Sequence, residues 1–209
     1  TRLLNKPRGS FFIIVFLFLL CYDRRNGKIM GIRIGPVYPG KKPLSLSPWK
    51  QGGNEKMQAY LFVHFRETDG VEGEQVYFSV SKDGYTWEIV NHGNAVLIAD
   101  KGDMGVRDIV ITRTLDNSFV IMATDLALRR NEATKYHGHI RHAFSEGSKC
   151  LAMWKSKDLV NWSDEMLINL SGGKLGCLWA PGIFFDENSG NYIVHWSSSC
   201  KDDNYSGLS

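Results

Sequence analysis

The chain has 209 residues, of which 43% are hydrophobic and 22% are charged. This composition supports one sizeable core or two small ones and argues against disorder. The 21 glycines, 6 prolines and 4 cysteines exclude a collagen-like repeat and a disulfide-dense scaffold. Residues 51–209 hold 15 basic and 21 acidic residues. We therefore expect no nucleic-acid partner, because affinity for phosphates comes mostly from Lys and Arg.

Residues 1–57 are predicted to form a basic leader and linker before the folded domain. The apolar run FFIIVFLFLLCY at residues 11–22 follows Arg2, Lys6 and Arg8, which is the order of the basic and hydrophobic regions of a signal peptide. The run is too short to span a bilayer comfortably, so we expect no membrane partner for the mature domain. The pattern predicts an extracellular or periplasmic protein, and a buried strand is the alternative.

From residue 58 onward the pattern is one of short apolar or alternating runs, separated by turns rich in Gly, Asn and Asp. No segment keeps a helical period over three turns, so the body is predicted to be all-β. The predicted strands are 59–65, 75–81, 109–114, 119–124, 151–156 and 192–197.

A weak internal repeat suggests how these strands are grouped. The sequence SKDGYTW at residues 81–87 aligns with SKDLVNW at residues 156–162, and each copy follows a predicted strand. Repeated strand units of this kind are typical of β-propeller blades, and two coincidental hairpins are the alternative. A closed propeller needs roughly four to eight blades, so we expect residues 58–209 to be a partial propeller of about two to three blades, truncated at its C-terminus.

Two carboxylates stand where predicted strands begin or end. Asp108 precedes the strand 109–114, where it can point into the channel of a propeller and act as a general base. The adjacent Arg107 could hold it ionised by opposite charge and is also assigned to substrate binding, and a plain turn is the alternative for Asp108. Asp125 ends the strand 119–124, where it could hydrogen-bond a substrate hydroxyl or cap the turn.

Two ring-bearing residues complete the candidate binding site. Trp179 lies beside Pro181 and could form a platform for the apolar face of a sugar, with a core tryptophan as the alternative. His195 alternates with Trp196 along the strand 192–197, so the two side chains point to opposite faces, and His195 is assigned to substrate binding.

No metal site or cofactor is predicted. The histidines 137, 139 and 142 form a cluster in a polar loop, without a carboxylate or cysteine at ligand spacing. The four cysteines contain no CxxC pair, which argues against a zinc or redox motif.

Four segments together resemble glycoside hydrolase family 43, and the resemblance covers about residues 58–200. They are GVRD at 105–108, FVIMATDL at 119–126, WKSKDLVNWS at 154–163 and CLWAP at 177–181. The resemblance implies a five-bladed propeller in the full-length protein. It also implies an inverting glycosidase that acts on plant polysaccharide or oligosaccharide containing xylose or arabinose, as β-xylosidases, α-arabinofuranosidases and arabinanases do.

The resemblance further implies three carboxylates: a general base, a general acid and an Asp that tunes the acid. Asp108 matches the base, and the other two lie on later blades, beyond residue 209. Two positions depart from the family pattern, because Ile109 replaces the usual Pro and Gly182 replaces the usual acidic residue after Trp-Ala-Pro. Together with the truncation, these departures predict that the fragment alone is inactive.

Two other functions remain open. A non-catalytic carbohydrate-binding propeller is favoured by Gly182, since the acidic side chain is missing there. A sialidase-type propeller is suggested by the segment 81–87 and would require an arginine cluster for the substrate carboxylate.

Overall fold

The computed structural model describes residues 15–23, 28–37, 57–70 and 72–208 of the chain. The described strands are β1 (Val15–Asp23), β2 (Lys28–Val37), β3 (Met57–His64), β4 (Tyr77–Ser81), β5 (Glu88–Ile89), β6 (Val106–Arg113), β7 (Phe119–Asp125), β8 (Cys150–Ser156), β9 (Met166–Asn169), β10 (Trp179–Asp186) and β11 (Asn191–Ser197). The described helices are short, with α1 at Leu128–Asn131 and α2 at His142–Glu146. None of them is long and apolar enough to cross a membrane.

These strands form three antiparallel sheets that follow one another along the chain. The first has the order β2-β1-β3-β4-β5, the second β6-β7-β8-β9, and the third is the hairpin β10-β11. We call β3–β5 blade 1, β6–β9 blade 2 and β10–β11 blade 3. Strand β6 lies at the edge of blade 2 and contacts both β3 and β10. The expected all-β fold of partial propeller blades is therefore confirmed.

Each of the six predicted strands overlaps an observed strand, but several bounds differ. Strand β6 begins at Val106, so Asp108 lies within a strand and not before it. Strands β2, β5, β9 and β10 were not predicted. Strands β5 and β9 have only two and four residues, and such short segments carry too little periodicity. Residues 15–23, which are part of the apolar run, form β1, and β1 pairs with β3.

Blade 2 has a hydrophobic core on both of its faces. One face places Ile111, Ile121 and Trp154 against blade 1. The other places Val120 and Met122 against residues of blade 3. Every residue of β7 is buried, as expected for a strand that is covered on both sides.

The two Ser-Lys-Asp turns have the same hydrogen-bond pattern, which confirms that the repeat is structural. In the first turn, Asp83 Oδ1 accepts the backbone N–H groups of Tyr85 and Thr86 at 2.8 and 2.7 Å. In the second, Asp158 Oδ1 accepts the N–H groups of Val160 and Asn161 at 2.9 and 2.7 Å.

These bonds favour the ionised carboxylates of the two turns. They lower the pKa of Asp83 to about 2 and hold that of Asp158 well below its usual value. Each turn leads to a tryptophan that contacts a strand of blade 1: Trp87 meets Phe62, and Trp162 meets Phe78.

The core position Ile121 offers a test of this packing. Because its side chain is fully buried, Ile121→Val should lower the free energy of unfolding by about 1 kcal/mol through the lost methyl group. The matched control is Leu115→Ala at an exposed turn, which should change it by less than about 0.5 kcal/mol. Urea unfolding measures both, and equal effects would contradict the packing described.

Candidate active site

The candidate site is built around two matching β-bulges. In β6 the register shifts between Arg107 and Val110, and in β10 it shifts between Trp179 and Gly182. Each bulge sets two residues opposite one on the neighbouring strand. The first of the two bulged residues is Asp108 in β6 and Ala180 in β10. Both have a left-handed backbone, with φ of 49° at Asp108 and 50° at Ala180. Blades 2 and 3 therefore begin with the same local structure.

One buried hydroxyl connects the two bulges. Thr124 Oγ1, at the end of β7, donates to Asp108 Oδ2 at 3.0 Å and accepts the N–H of Ala180 at 2.8 Å. Thr124 is completely buried, whereas Asp108 is exposed. The arrangement holds an accessible carboxylate in a fixed orientation at the start of the edge strand that contacts both neighbouring blades.

The guanidinium of Arg107 binds carboxylates of the loop after β3 and does not pair with Asp108. Its nitrogens lie 2.6 Å from Glu74 Oε1 and 2.9 Å from Glu67 Oε1, and its carbon lies 4.8 Å from the ring centre of Phe65. The hydrogen bond from Arg107 lowers the pKa of Glu67. Glu74 also accepts a hydrogen bond from Arg107, but burial has the larger effect and raises the pKa of Glu74. The structure therefore corrects the expectation that Arg107 holds Asp108 ionised, because the guanidinium of Arg107 forms ion pairs with Glu67 and Glu74.

Asp125 is a buried cap and offers no contact to a sugar in this structure. It is 1% exposed, and its Oδ1 accepts the N–H of Asp103 at 2.8 Å while its Oδ2 accepts the Ser148 hydroxyl at 2.5 Å. Of its two sequence-based interpretations, the structure favours the cap. Burial raises the pKa of Asp125 to about 6, against the opposing effect of these bonds.

A buried acid that was not predicted lies next to Asp125. Asp103 is 2% exposed and accepts hydrogen bonds from the Tyr136 hydroxyl and the Lys135 ammonium group. These donors follow α1, so Asp103 fixes the segment between β7 and β8 against the residues that precede β6. No local pattern marks this acid, because its partners lie 32 and 33 residues away.

Trp179 is a core residue in this structure, not an open platform. It is 9% exposed, and its ring meets that of Phe144 from α2 edge-on, with 5.4 Å between the ring centres. Leu126 and Tyr136 belong to the same buried cluster. The core alternative for Trp179 is therefore the one observed.

His195 lies on the face of blade 3 that is directed away from blade 2. His195 pairs with Gly182, and Ile193 pairs with Phe184. The side chains of His195, Ile193 and Phe184 are exposed. The imidazole occupies the space beside Gly182, where a Cβ atom would collide with Nε2. The structure thus brings Asp108 together with Thr124 and Ala180, but it does not bring Arg107, Asp125, Trp179 and His195 into one site.

Comparison with known proteins identifies the family. A family model described as a probable glycosyl hydrolase domain, related to glycoside hydrolase family 43, matches residues 55–208. The chain belongs to this glycoside hydrolase 43-related family. An α-L-arabinofuranosidase of Bifidobacterium longum is 26% identical over 147 residues, which are 66% of this chain and 13% of that protein.

Two solved structures of family 43 character are also similar to parts of the chain. The GH43 protein BlXynB of Bacillus licheniformis is 19% identical, with a TM-score of 0.41 over 72% of this chain and 28% of its own. An exo-β-1,3-galactanase of Clostridium thermocellum is 12% identical, with a TM-score of 0.40 over 72% of this chain and 33% of its own. The chain thus spans a minor part of each of these proteins.

The hydroxyl of Thr124 gives a test of the connection between blades 2 and 3. Thr124→Val keeps the shape but leaves the Ala180 N–H without its acceptor, so its amide should exchange at least tenfold faster. The unfolding free energy should fall by about 1–3 kcal/mol. Hydrogen exchange at Ala180 measures the first effect. Thr124→Ser, which retains the hydroxyl, should keep that amide protected, and equal exchange in both variants would contradict the bridge.

The buried Asp125 predicts a pH dependence of stability. Its pKa is about 6 in the folded chain and about 3.9 when unfolded, so the folded state binds the proton more tightly. The resulting stabilisation is complete below about pH 4 and is lost as the pH rises through 6, amounting to about 1–3 kcal/mol.

Urea unfolding at several pH values, compared between the wild type and Asp125→Asn, isolates this contribution. The wild type should lose stability relative to the variant between pH 4 and pH 7. A difference between the two proteins that stays constant with pH would exclude the raised pKa.

Proposed function

We propose that this chain supplies the general base of an inverting glycoside hydrolase, and that the base is Asp108. The observation that carries the proposal is the exposed Asp108 carboxylate, held by Thr124 at the start of edge strand β6. It belongs to the GVRD segment of a chain in the glycoside hydrolase 43-related family. The activity proposed is that of the whole protein, of which this chain carries one carboxylate.

The two oxygens of Asp108 suit different parts of this role. Oδ2 accepts the Thr124 hydroxyl, which fixes the orientation of the carboxylate. Within the described residues Oδ1 accepts no hydrogen bond, so it can accept one from a water molecule. In an inverting reaction the base removes a proton from water as its oxygen attacks the anomeric carbon, while a general acid protonates the departing glycosidic oxygen. The two carboxyl groups then lie about 6.5–9.5 Å apart.

The proposed substrate is a plant polysaccharide or oligosaccharide that contains arabinose or xylose. The curated relative from Bifidobacterium longum is named as an α-L-arabinofuranosidase, which supports an arabinofuranoside as the first substrate to test. The Clostridium thermocellum protein is named as an exo-β-1,3-galactanase, so a galactoside belongs in the same assay. Such polymers occur outside the cell, which agrees with the export that the basic and apolar residues 2–22 predict.

A non-catalytic carbohydrate-binding propeller is the second candidate. The observation in its favour is Gly182, where the imidazole of His195 occupies the space that a side chain would need. A side chain at position 182 would require the exposed imidazole of His195 to move. This candidate predicts binding of the polysaccharide without hydrolysis.

Asp108→Asn distinguishes these functions when it is made in a protein that contains this chain together with the other propeller blades. Asparagine adopts the left-handed backbone readily but cannot take the proton, so kcat on aryl arabinofuranoside or xyloside should fall by roughly 10²–10⁴-fold. Asp116→Asn, at the turn after β6, is the matched control and should leave kcat unchanged. A folded wild type that binds arabinoxylan without cleaving it would support the second candidate instead.

A further inference from the structure

A cleft lies at the junction of blades 1 and 2, away from Asp108. It has a volume of about 580 Å³ and is formed by the segment that precedes β6 and by the turn between β8 and β9. That turn connects the third and fourth strands of blade 2, whereas Asp108 is on the first. Since neighbouring strands are about 4.8 Å apart, the turn is separated from Asp108 by roughly 10 Å across the sheet.

One side of the cleft is apolar and open to solvent. Val160 is 77% exposed and Ile98 is 54% exposed, and both line the cleft. The cleft is also lined by the half-buried Trp162, whose ring meets that of Phe78 edge-on and whose Nε1–H donates to Leu159 O at 3.2 Å. These contacts hold the indole ring, and Val160 and Ile98 are accessible without unfolding.

The other side of the cleft carries carboxylates. Asp100 and Asp164 are exposed. Glu165 is 4% exposed, and its Oε2 accepts the N–H groups of Asp100 and Lys101, each at 2.8 Å. Its Oε1 is buried and has no hydrogen-bond partner among the described residues. The buried carboxyl group of Glu165 therefore fixes the backbone of Asp100 and Lys101, while the side chains of Asp100 and Asp164 remain accessible.

The cleft contains one basic group among its three acids. The ammonium group of Lys101 lies among the carboxylates and donates to the backbone oxygen of Glu165 at 2.6 Å. Burial raises the pKa of Glu165 to about 7, and the neighbouring Asp100 carboxyl adds to this rise. The single ammonium group of Lys101 therefore offsets only one of the three acids, and hydrogen-bond acceptors remain beside an indole ring.

We propose that this cleft is a second carbohydrate-binding site, which holds a neutral sugar unit of the polysaccharide at a distance from Asp108. A sugar ring presents an apolar CH face to a surface such as the one formed by Val160, Ile98 and Trp162. Its hydroxyl groups donate hydrogen bonds to the exposed carboxylates of Asp100 and Asp164. The volume agrees with the range of about 300–1,000 Å³ found for small-ligand sites. The ligand class rests on the proposed function, but the site does not depend on hydrolysis.

The experiment is a binding measurement on the full chain. Val160→Asp and Ile98→Asp each place a charge on the apolar side at an exposed position, where folding is unaffected. Leu115→Asp is the matched control, because Leu115 is also exposed, at 71%, but lies outside the cleft. Isothermal titration with arabino- and xylo-oligosaccharides, and affinity electrophoresis in arabinoxylan, measure binding without turnover. Circular dichroism checks that every variant is folded.

Both cleft variants should weaken oligosaccharide binding at least tenfold, while Leu115→Asp and Asp108→Asn bind as the wild type does. Wild-type affinity in both cleft variants, or loss of binding in Asp108→Asn alone, would overturn the proposal. Binding of the polyamine spermine but of no saccharide would overturn it in favour of a cation site. A protein with all propeller blades that binds through the cleft but does not hydrolyse the oligosaccharide would contradict only the general-base role.

Discussion

The hydroxyl of Thr124 is the group on which the geometry of the candidate site depends. It donates to Asp108 and accepts from Ala180, so one buried oxygen orients the carboxylate of blade 2 and fixes the start of blade 3. Both contacted residues have left-handed backbones, a conformation that costs about 1 kcal/mol or more for a residue other than glycine. The hydrogen bonds and the surrounding core help to hold this conformation. The carboxylate is thus positioned by the junction between two blades and not by its own strand alone.

The two-faced core of blade 2 explains why this junction is well defined. Since β7 is buried on both sides, a displacement of blade 2 would uncover apolar groups toward blade 1 or blade 3. The ion pairs from Arg107 to Glu67 and Glu74 connect the same strand to the loop after β3. Packing and charge therefore hold β6 from both directions, and Asp108 keeps a fixed place relative to each neighbour.

The sequence predicts the parts of this arrangement that are determined locally. The Ser-Lys-Asp turns and the apolar strands follow from residues that are close along the chain. The environments of Arg107, Asp125 and Trp179 do not, because their partners come from distant segments. Arg107 binds Glu74, which is 33 residues away, and Trp179 meets Phe144 of a helix that has no sequence signal. Composition alone cannot show whether a tryptophan or an acid is covered by another blade.

The contact between Gly182 and His195 has a consequence for how the sequence can vary. Because the imidazole fills the space of a side chain at position 182, the two positions are not independent. A larger residue at position 182 requires the exposed imidazole of His195 to turn aside. Replacement of His195 by a smaller residue would remove this requirement, so the effect of a substitution at position 182 depends on the residue at position 195.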